Sequence, residues 1–256
     1  MNKTRLTFLG TGTSQGVPMI GCDCEVCRSR DPRDNRLRAS AFIEYEGCNI
    51  LVDAGPDFRQ QMLRADIRHV DAILLTHNHK DHTGGLDDIR AFNYHEQKAT
   101  QIYCEEYVEN SLRMEFSYAF AEKKYPGAPE WNVNRIDERP FEIKGKQIIP
   151  IRGKHYKLPV LGYRFGNIAY CTDMNHIPEE EFAKLQGLEH FIINCVRYGH
   201  HISHFSIEEA VAVAQKTGAK QSWLTHLSHQ LPTYDKLLKE LPEGILPAYD
   251  GLTIEA

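Results

Sequence analysis

The sequence predicts an α/β fold in which two β-layers are covered by helices. Three observations carry this reading. Short β-branched and aliphatic runs alternate with helix-like stretches along all 256 residues. Strand pairs closed by tight turns occur in both halves, and no residue-level repeat links the halves. No linker, low-complexity tract or charge block interrupts the chain, so one domain over residues 1–256 is expected.

Leu6-Thr7-Phe8-Leu9 opens the chain as a strand and runs into Gly10-Thr11-Gly12-Thr13-Ser14-Gln15-Gly16. That turn lacks the Lys-Ser/Thr ending of a nucleotide phosphate loop, so triphosphate binding is not supported. Residues 41–45 and 49–53 form a hairpin across Glu46-Gly47, and Ala54-Gly55-Pro56-Asp57 ends it. Helices are predicted at 58–65, from near Gly85 to Glu96, and over 105–124. Between the first two lies the apolar run Val70 to Thr76, read as a buried strand.

The second half repeats the theme. Residues 141–143 and 147–151 flank Lys144-Gly145-Lys146; residues 160–165 and 168–172 flank Gly166-Asn167. A helix is predicted at 178–186 and a strand at 191–195. A helix at 206–217 carries the capping box Ser206-Ile207-Glu208-Glu209 and stops at Gly218. A last strand, Gln221 to Thr225, ends at His226.

The bulk numbers exclude several classes. The net charge of −5 gives no general attraction to nucleic acid, so that partner is not expected. No apolar run approaches a membrane span. The stretch from Met1 to Gly10 has no signal-peptide apolar region, and a cytoplasmic protein is expected. Seven cysteines, three of them crowded together, favour thiolate metal binding over a disulfide framework.

The chemistry concentrates in His77-Asn78-His79-Lys80-Asp81-His82, directly after the Val70–Thr76 strand. Imidazoles and a carboxylate at that density can hold two divalent ions; Mn²⁺, Zn²⁺ and Fe all accept such ligands. Paired ions are a tool for hydrolysing esters. His155, Asp173 and His226 each sit at or just past a predicted strand end, where an active site on packed sheets would be built. Cys22-Asp23-Cys24-Glu25-Val26-Cys27 makes a second cluster, a zinc-binding loop at 21–28. Three close thiolates need a cation, and a structural zinc takes a fourth ligand, for which His229 is the best candidate. Asp53 is a candidate partner for a ligand histidine, beside the reading of an ordinary hairpin-end carboxylate. Cys48, Cys104, Cys171 and Cys195 read as buried thiols.

His77-x-His79-x-Asp81-His82, the later His155, Asp173 after a strand, and Thr225-His226 together resemble the metallo-β-lactamase superfamily. The resemblance spans Phe8-Leu9-Gly10-Thr11-Gly12 to His229. It implies an αββα sandwich of two mixed β-sheets flanked by helices. His77, His79 and His155 would then hold one ion, Asp81, His82 and His226 a second, and Asp173 would bridge them. A hydroxide between the ions would be the nucleophile.

The Cys-x-Cys-x-x-Cys, paired with Thr225-His226-Leu227-Ser228-His229, resembles the branch containing the cyclic phosphodiesterase of bacterial phosphonate breakdown, which acts on phosphoribosyl 1,2-cyclic phosphate. That resemblance implies a small phosphate-ester substrate, one structural zinc on Cys22, Cys24, Cys27 and His229, and a homodimer as a possible assembly. It also favours His204, among His200, His201 and His204, as the group that contacts phosphate or protonates the leaving alkoxide. Asp81 and His204 are therefore the expected catalytic residues.

Two alternatives were weighed. A tRNA 3′-processing endonuclease shares the Gly10-Thr11-Gly12 turn and the metal ligands, but that nuclease's pattern has no Cys-x-Cys-x-x-Cys. A non-catalytic zinc protein of a cofactor-biosynthesis pathway is the other. The pyrroloquinoline quinone B protein resembles this chain in its cysteines but has a degraded first metal motif. Arg28, Arg30, Arg33, Arg36 and Arg38 read as a solvated loop with local ion pairs or as a phosphate-attracting rim. Phe116, Tyr118, Phe120, Tyr125 and Trp131 read as core, interface or lid.

Overall fold

The computed structural model describes residues 4–256; Met1 to Lys3, part of the stretch read for a signal sequence, lie outside the described residues. Fourteen strands and six α-helices follow one another in two halves. The first half contains β1 (Arg5–Gly10), β2 (Ser40–Tyr45), β3 (Cys48–Val52), α1 (Phe58–Arg64), β4 (Ala72–Leu74), α2 (Lys80–Thr83), α3 (Arg90–Glu96), β5 (Thr100–Cys104), α4 (Glu106–Glu115) and β6 (Trp131–Arg135). The second contains β7 (Phe141–Ile143), β8 (Lys146–His155), β9 (Leu158–Phe165), β10 (Ile168–Cys171), β11 (His190–Asn194), α5 (Ile207–Thr217), β12 (Gln221–Thr225), α6 (Tyr234–Glu240), β13 (Ile245–Pro247) and β14 (Thr253–Glu255).

The strands form two seven-stranded sheets, ordered β14-β1-β2-β3-β4-β5-β6 and β13-β12-β11-β10-β9-β8-β7. Each is mixed. Hairpin strands pair antiparallel at one side, and the strands that follow crossovers pair parallel at the other. The chain's last strand returns to close the first sheet against β1.

The period-2 pattern of the strands sorts side chains into layers. Ile50 and Val52 of β3 join Leu6, Phe8, Leu161, Tyr163, Phe165, Tyr170 and Ile192 in the core between the sheets. Leu51 points the other way, to Phe58 and Met62 of α1, Phe92 of α3 and Val108 and Leu112 of α4. In β11, Ile192 faces inward while Phe191 and Ile193 meet Ile207, Ala210 and Ala214 of α5. The result is the expected αββα sandwich.

Several elements differ from expectation. The helix predicted over 105–124 stops at Glu115, gives one 3₁₀ turn at Ser117–Ala119, and leaves Lys124 irregular. The one from Gly85 is a 3₁₀ turn, Leu86–Ile89, followed by α3. The 178–186 segment is 3₁₀ throughout Glu179–Leu185. Strands β5, β6, β13 and β14 and helix α6 have no counterpart in the sequence expectation; Trp131, one of the clustered aromatics, opens β6. The α5 capping box forms as read, with Ser206 Oγ accepting from Glu209 N–H and Glu209 from Ser206 N–H, and Gly218 ends the helix at φ 65°.

The aromatic segment divides. Phe116 and Trp131 are buried edge to face at 5.3 Å, while Tyr118 and Tyr125 are exposed. Four of the five arginines have partners: Arg28 pairs with Asp23, Arg33 with Asp31 and Asp235, and Arg38 with Asp57. Arg36 is buried and donates to Thr11 Oγ1 and the Ala248 carbonyl. The local ion-pair reading accounts for Arg28, Arg33 and Arg38, whereas Arg36 is an interior residue held by neutral acceptors. Among the described residues no helix is long and apolar enough to cross a membrane.

Candidate metal centre

Three residues of the site stand just past the C-terminal ends of strands, and all three have left-handed backbones. Asp53 follows β3 with φ 62°, Asp173 lies two residues past β10 with φ 56°, and His226 follows β12 with φ 54°. Non-glycine residues seldom occupy this region, and each instance needs surrounding contacts that hold it there. The turn lets each side chain leave the sheet at its edge instead of entering a face.

The His77–His82 segment departs from the same edge. Six residues after β4 ends at Leu74, the chain enters α2 at Lys80, and that single turn presents Asp81 and His82. Two glycines allow the close packing this needs. A Cβ on Gly55 would lie 2.0 Å from the Asp81 carbonyl oxygen, and one on Gly85 would lie 2.0 Å from that of Gly55.

Hydrogen bonds behind the imidazoles fix their orientation. Asp53 accepts from the Thr76 N–H and hydroxyl, each at 2.9 Å, and from His82 Nδ1 at 2.6 Å. Because the Thr76 hydroxyl donates to Asp53, its oxygen accepts from His77 Nδ1 at 2.9 Å. His155 Nδ1 donates to the Ser203 carbonyl at 2.8 Å. Each bond assigns a proton to Nδ1 and turns Nε2 to the centre. Burial favours a bare Nε2 on His77 and His155. At His82 the Asp173, Asp81 and Asp53 carboxylates outweigh burial and raise the pKa, so a cation bound there would take the place of a proton. His77 Nε2, His82 Nε2 and both ring nitrogens of His226 are buried with no hydrogen-bond partner. Orphaned buried acceptors are costly unless something else satisfies them, and a cation does so.

The ligand atoms of His77, His79 and His155 lie within 4.8 Å of one another, and so do those of Asp81, His82, Asp173 and His226. Asp173 also joins His155 and His204 in a third such group, so it stands between the first two. Its carboxylate is 3.1 Å from both His82 Nε2 and His226 Nε2. These donor sets fit two divalent ions of the Mn²⁺, Zn²⁺ or Fe type. Burial alone would raise the pKa of Asp81 and Asp173; the imidazoles beside them, His82 and His226 foremost, more than reverse this and hold both carboxylates ionised. Burial drives His77 and His155 the other way, toward the neutral form that binds metal.

His204 lies over this group. Its ring centroid is 4.6 Å from that of His155 and 4.8 Å from that of His226, and its Nδ1 is buried, unpartnered and 3.7 Å from Asp173. Burial, helped by His226, lowers its pKa to about 3, so the imidazole is neutral near pH 7. Of the other two histidines in that loop, His200 is exposed beside Glu209, while His201 sits 5.1 Å from the His204 ring.

The cysteines converge as well. Cys22, Cys24, Cys27 and His229 bring their ligand atoms within 4.8 Å, with Sγ of Cys22 and Cys24 at 3.2 and 3.5 Å from His229 Nδ1. A tetrahedral zinc with bonds of ~2.3 Å to sulfur spaces its ligands on this scale. The Cys27 N–H lowers the Cys24 thiol to about 6, whereas burial pushes Cys27 to about 11. The remaining four cysteines are buried, and burial raises all four thiols. The sequence gave no notice of Thr76, Ser203 and Asn194 as the supports behind the ligands. Thr76 acts through its hydroxyl, Ser203 through its carbonyl and Asn194 through its side-chain amide, and none belongs to a motif.

Residues 48–227 match the model of the β-lactamase superfamily domain, and the chain belongs to the metallo-β-lactamase superfamily. Within it, a solved structure described as a new diphosphatase from the PhnP family is 39% identical, covers 100% of this chain and 98% of its own, and superposes with a TM-score of 0.93. The chain thus belongs to the PhnP family within that superfamily. An octanoyltransferase of Porphyromonas gingivalis is 43% identical over 97% of this chain, which spans only 51% of that protein. The Zn²⁺-bound PqqB of Methylobacterium extorquens, at 19% identity and a TM-score of 0.79, shares the fold.

Proposed function

We propose that the protein hydrolyses a phosphodiester bond in a small ester, with a cyclic phosphate such as a phosphoribosyl 1,2-cyclic phosphate as the preferred form. One observation carries this reading. Asp173 stands between two ligand groups, and a neutral, half-enclosed His204 lies beside it. In this reading His77, His79 and His155 would hold one cation and Asp81, His82 and His226 the other, with the Asp173 carboxylate available to either. A cation pair supplies two things when bound: a lowered pKa for the attacking water and charge neutralisation at the phosphoryl oxygens.

The chain's own residues do the rest. Asp53 and Thr76 keep His82 and His77 oriented, and the Ser203 carbonyl does the same for His155. A phosphate anion beside His204 raises that imidazole's affinity for a proton, which it then delivers to the leaving alkoxide. Cys22, Cys24, Cys27 and His229 hold a structural zinc in this scheme.

The diphosphatase relative makes a diphosphate linkage the natural second substrate to try. The octanoyltransferase activity belongs to a protein of which this chain matches half, and it is not carried over. The net charge of −5 argues against a tRNA substrate.

The test is metal analysis of the purified protein, followed by a panel of 1,2-cyclic, 2′,3′-cyclic and linear phosphodiesters and a diphosphate ester. His79→Ala should lose active-site metal and abolish hydrolysis of bis(p-nitrophenyl) phosphate. Wild-type activity in that variant would sink the mechanism.

A further inference from the structure

The three imidazoles of the first ligand group come from different sheets. His77 and His79 follow β4 of the first sheet, and His155 ends β8 of the second. Their spacing therefore depends on how the two sheets are held at this edge. His77 and His155 each have a hydrogen bond behind the ring. His79 is exposed and has none among the described residues, so the backbone on either side must place it.

That backbone is tied to α4. Asn78, between His77 and His79, donates from Nδ2 to Ser111 Oγ at 2.8 Å. Ser111 gives its own proton to the Tyr107 carbonyl at 3.2 Å, so its oxygen must accept from Asn78, which fixes the amide's orientation. Tyr107, one turn earlier on the same face, donates its hydroxyl to the Pro159 carbonyl at 2.6 Å. Pro159 faces Lys154 in the β8–β9 ladder, and His155 is the next residue. Lys154 uses its N–H on the His176 carbonyl and its carbonyl on the Asn175 N–H, which leaves the Pro159 carbonyl to Tyr107. One face of α4 thus reaches both sources of the ligand group. The second group has no such link: His82 and Asp173 are held from behind by Asp53 and Thr172, neither of them on α4.

We propose that Tyr107 and Ser111 are positioning residues that form a clamp: through α4 they set the span between His77-Asn78-His79 and His155, and with it the affinity of that group for its cation. The inference rests on the two-cation reading above and on no particular substrate. It explains how an exposed ligand imidazole is kept in place without a partner of its own.

The test is competition titration of metal-free protein with Mn²⁺, which reads a binding constant for each ligand group. His155→Ala removes a ligand of the first group and shows which constant belongs to it. Tyr107→Phe and Ser111→Ala should each weaken that constant about tenfold, the scale of outer supports of ligands, and leave the other within about twofold. The double variant should match the single ones, because a clamp is open once either end is released. Two independent supports would instead multiply to about a hundredfold. Ser111→Thr, which keeps the hydroxyl, should bind as the wild type does. A multiplied loss, an equal loss at both groups, or a lower melting temperature with both constants unchanged would overturn the clamp. Titration needs no turnover, so a protein that hydrolyses none of the esters still tests it. Wild-type protein that binds no ion at the first group removes the metal-centre reading and the clamp with it. Two ions bound with unchanged constants in the variants remove the clamp alone.

Discussion

Asn194 grips both backbone polar groups of Met174: its Oδ1 accepts from the Met174 N–H at 2.7 Å, and its Nδ2 donates to the Met174 carbonyl at 2.9 Å. Phe205 N–H reaches the same carbonyl at 2.8 Å. Met174 is the residue after Asp173, whose left-handed backbone needs such a restraint. Asn194 is fully buried at the end of β11, so these bonds are not exchanged with water. Asn194→Ala should destabilise the metal-free protein by roughly 2–3 kcal/mol. It should also weaken metal binding by about tenfold or more, since outer partners of ligands act on that scale. Asn194→Asp, which keeps only the acceptor, should fall between. Urea unfolding and competition titration with Mn²⁺ separate the two effects. Unchanged metal affinity beside lost stability would reduce Asn194 to a packing role.

Cys24→Ser tests the second cluster. His229 lies three residues past His226, and the Leu227 N–H between them is held by the Thr11 carbonyl at 2.7 Å. That anchor separates the two imidazoles mechanically. The variant should contain one zinc fewer per chain and lose several kcal/mol of stability, because zinc binding is folding energy in such a loop. The protein that stays folded should keep kcat within about tenfold, as loss of an outer support allows. Lost activity with zinc content and melting temperature intact would show the loop to be part of the chemistry.

The legible parts of this molecule are those where one residue type implies one job. His77-x-His79-x-Asp81-His82 is dense enough that no buried strand end would carry it without a ligand, and the strand before it is apolar throughout. Ser206-x-x-Glu209 marks a helix start by chemistry alone. The illegible parts depend on partners distant in sequence. Asn194 reads as the polar end of a strand, and only the parallel pairing of β10 with β11 brings it to Met174. Thr76 reads as the last β-branched residue of a strand, and its hydroxyl gains a role from Asp53, 23 residues earlier. The helix expected over 105–124 ends at Glu115, and Phe116 and Phe120 beyond it pack edge to face on Trp131 without a continuing helix.

His69 gives a pH dependence away from the metals. It lies between Glu96 Oε1 at 2.8 Å and Asp71 Oδ1 at 2.9 Å. Burial opposes its charge, but Glu96 and Asp71 outweigh burial and raise its pKa above the ordinary 6.5. A group with a raised folded pKa contributes stability fully below its unfolded pKa and loses it as pH rises through the folded value. Stability should therefore decline above about pH 6.5 as His69 loses its proton. His69→Asn should flatten that slope. The side chain is 40% exposed, so solvent screening limits the effect to roughly 0.5 kcal/mol. Urea midpoints at pH 6 and pH 9 measure it, and the same slope in both proteins would remove His69 as its source.

His204 is the residue whose role depends most on the ester tested. Burial keeps it neutral near pH 7, with one ring proton and not the second that a general acid would donate. In the proposed mechanism an anionic phosphate beside it would raise its affinity for that proton, which it would then pass on. The benefit then scales with how badly the leaving oxygen needs protonation. An alkoxide of a sugar needs it fully, whereas p-nitrophenolate leaves unaided. His204→Ala should therefore cut kcat on a cyclic or alkyl phosphodiester by roughly 100-fold or more, the range of general acid catalysis. Hydrolysis of bis(p-nitrophenyl) phosphate should fall by less than about tenfold, and metal content should not change, because His204 is outside both ligand sets. Equal losses on the two esters would mean that His204 binds phosphate without protonating the leaving group. Loss of metal would instead make it a ligand, which its position beside His155 and Asp173 makes the informative alternative to measure.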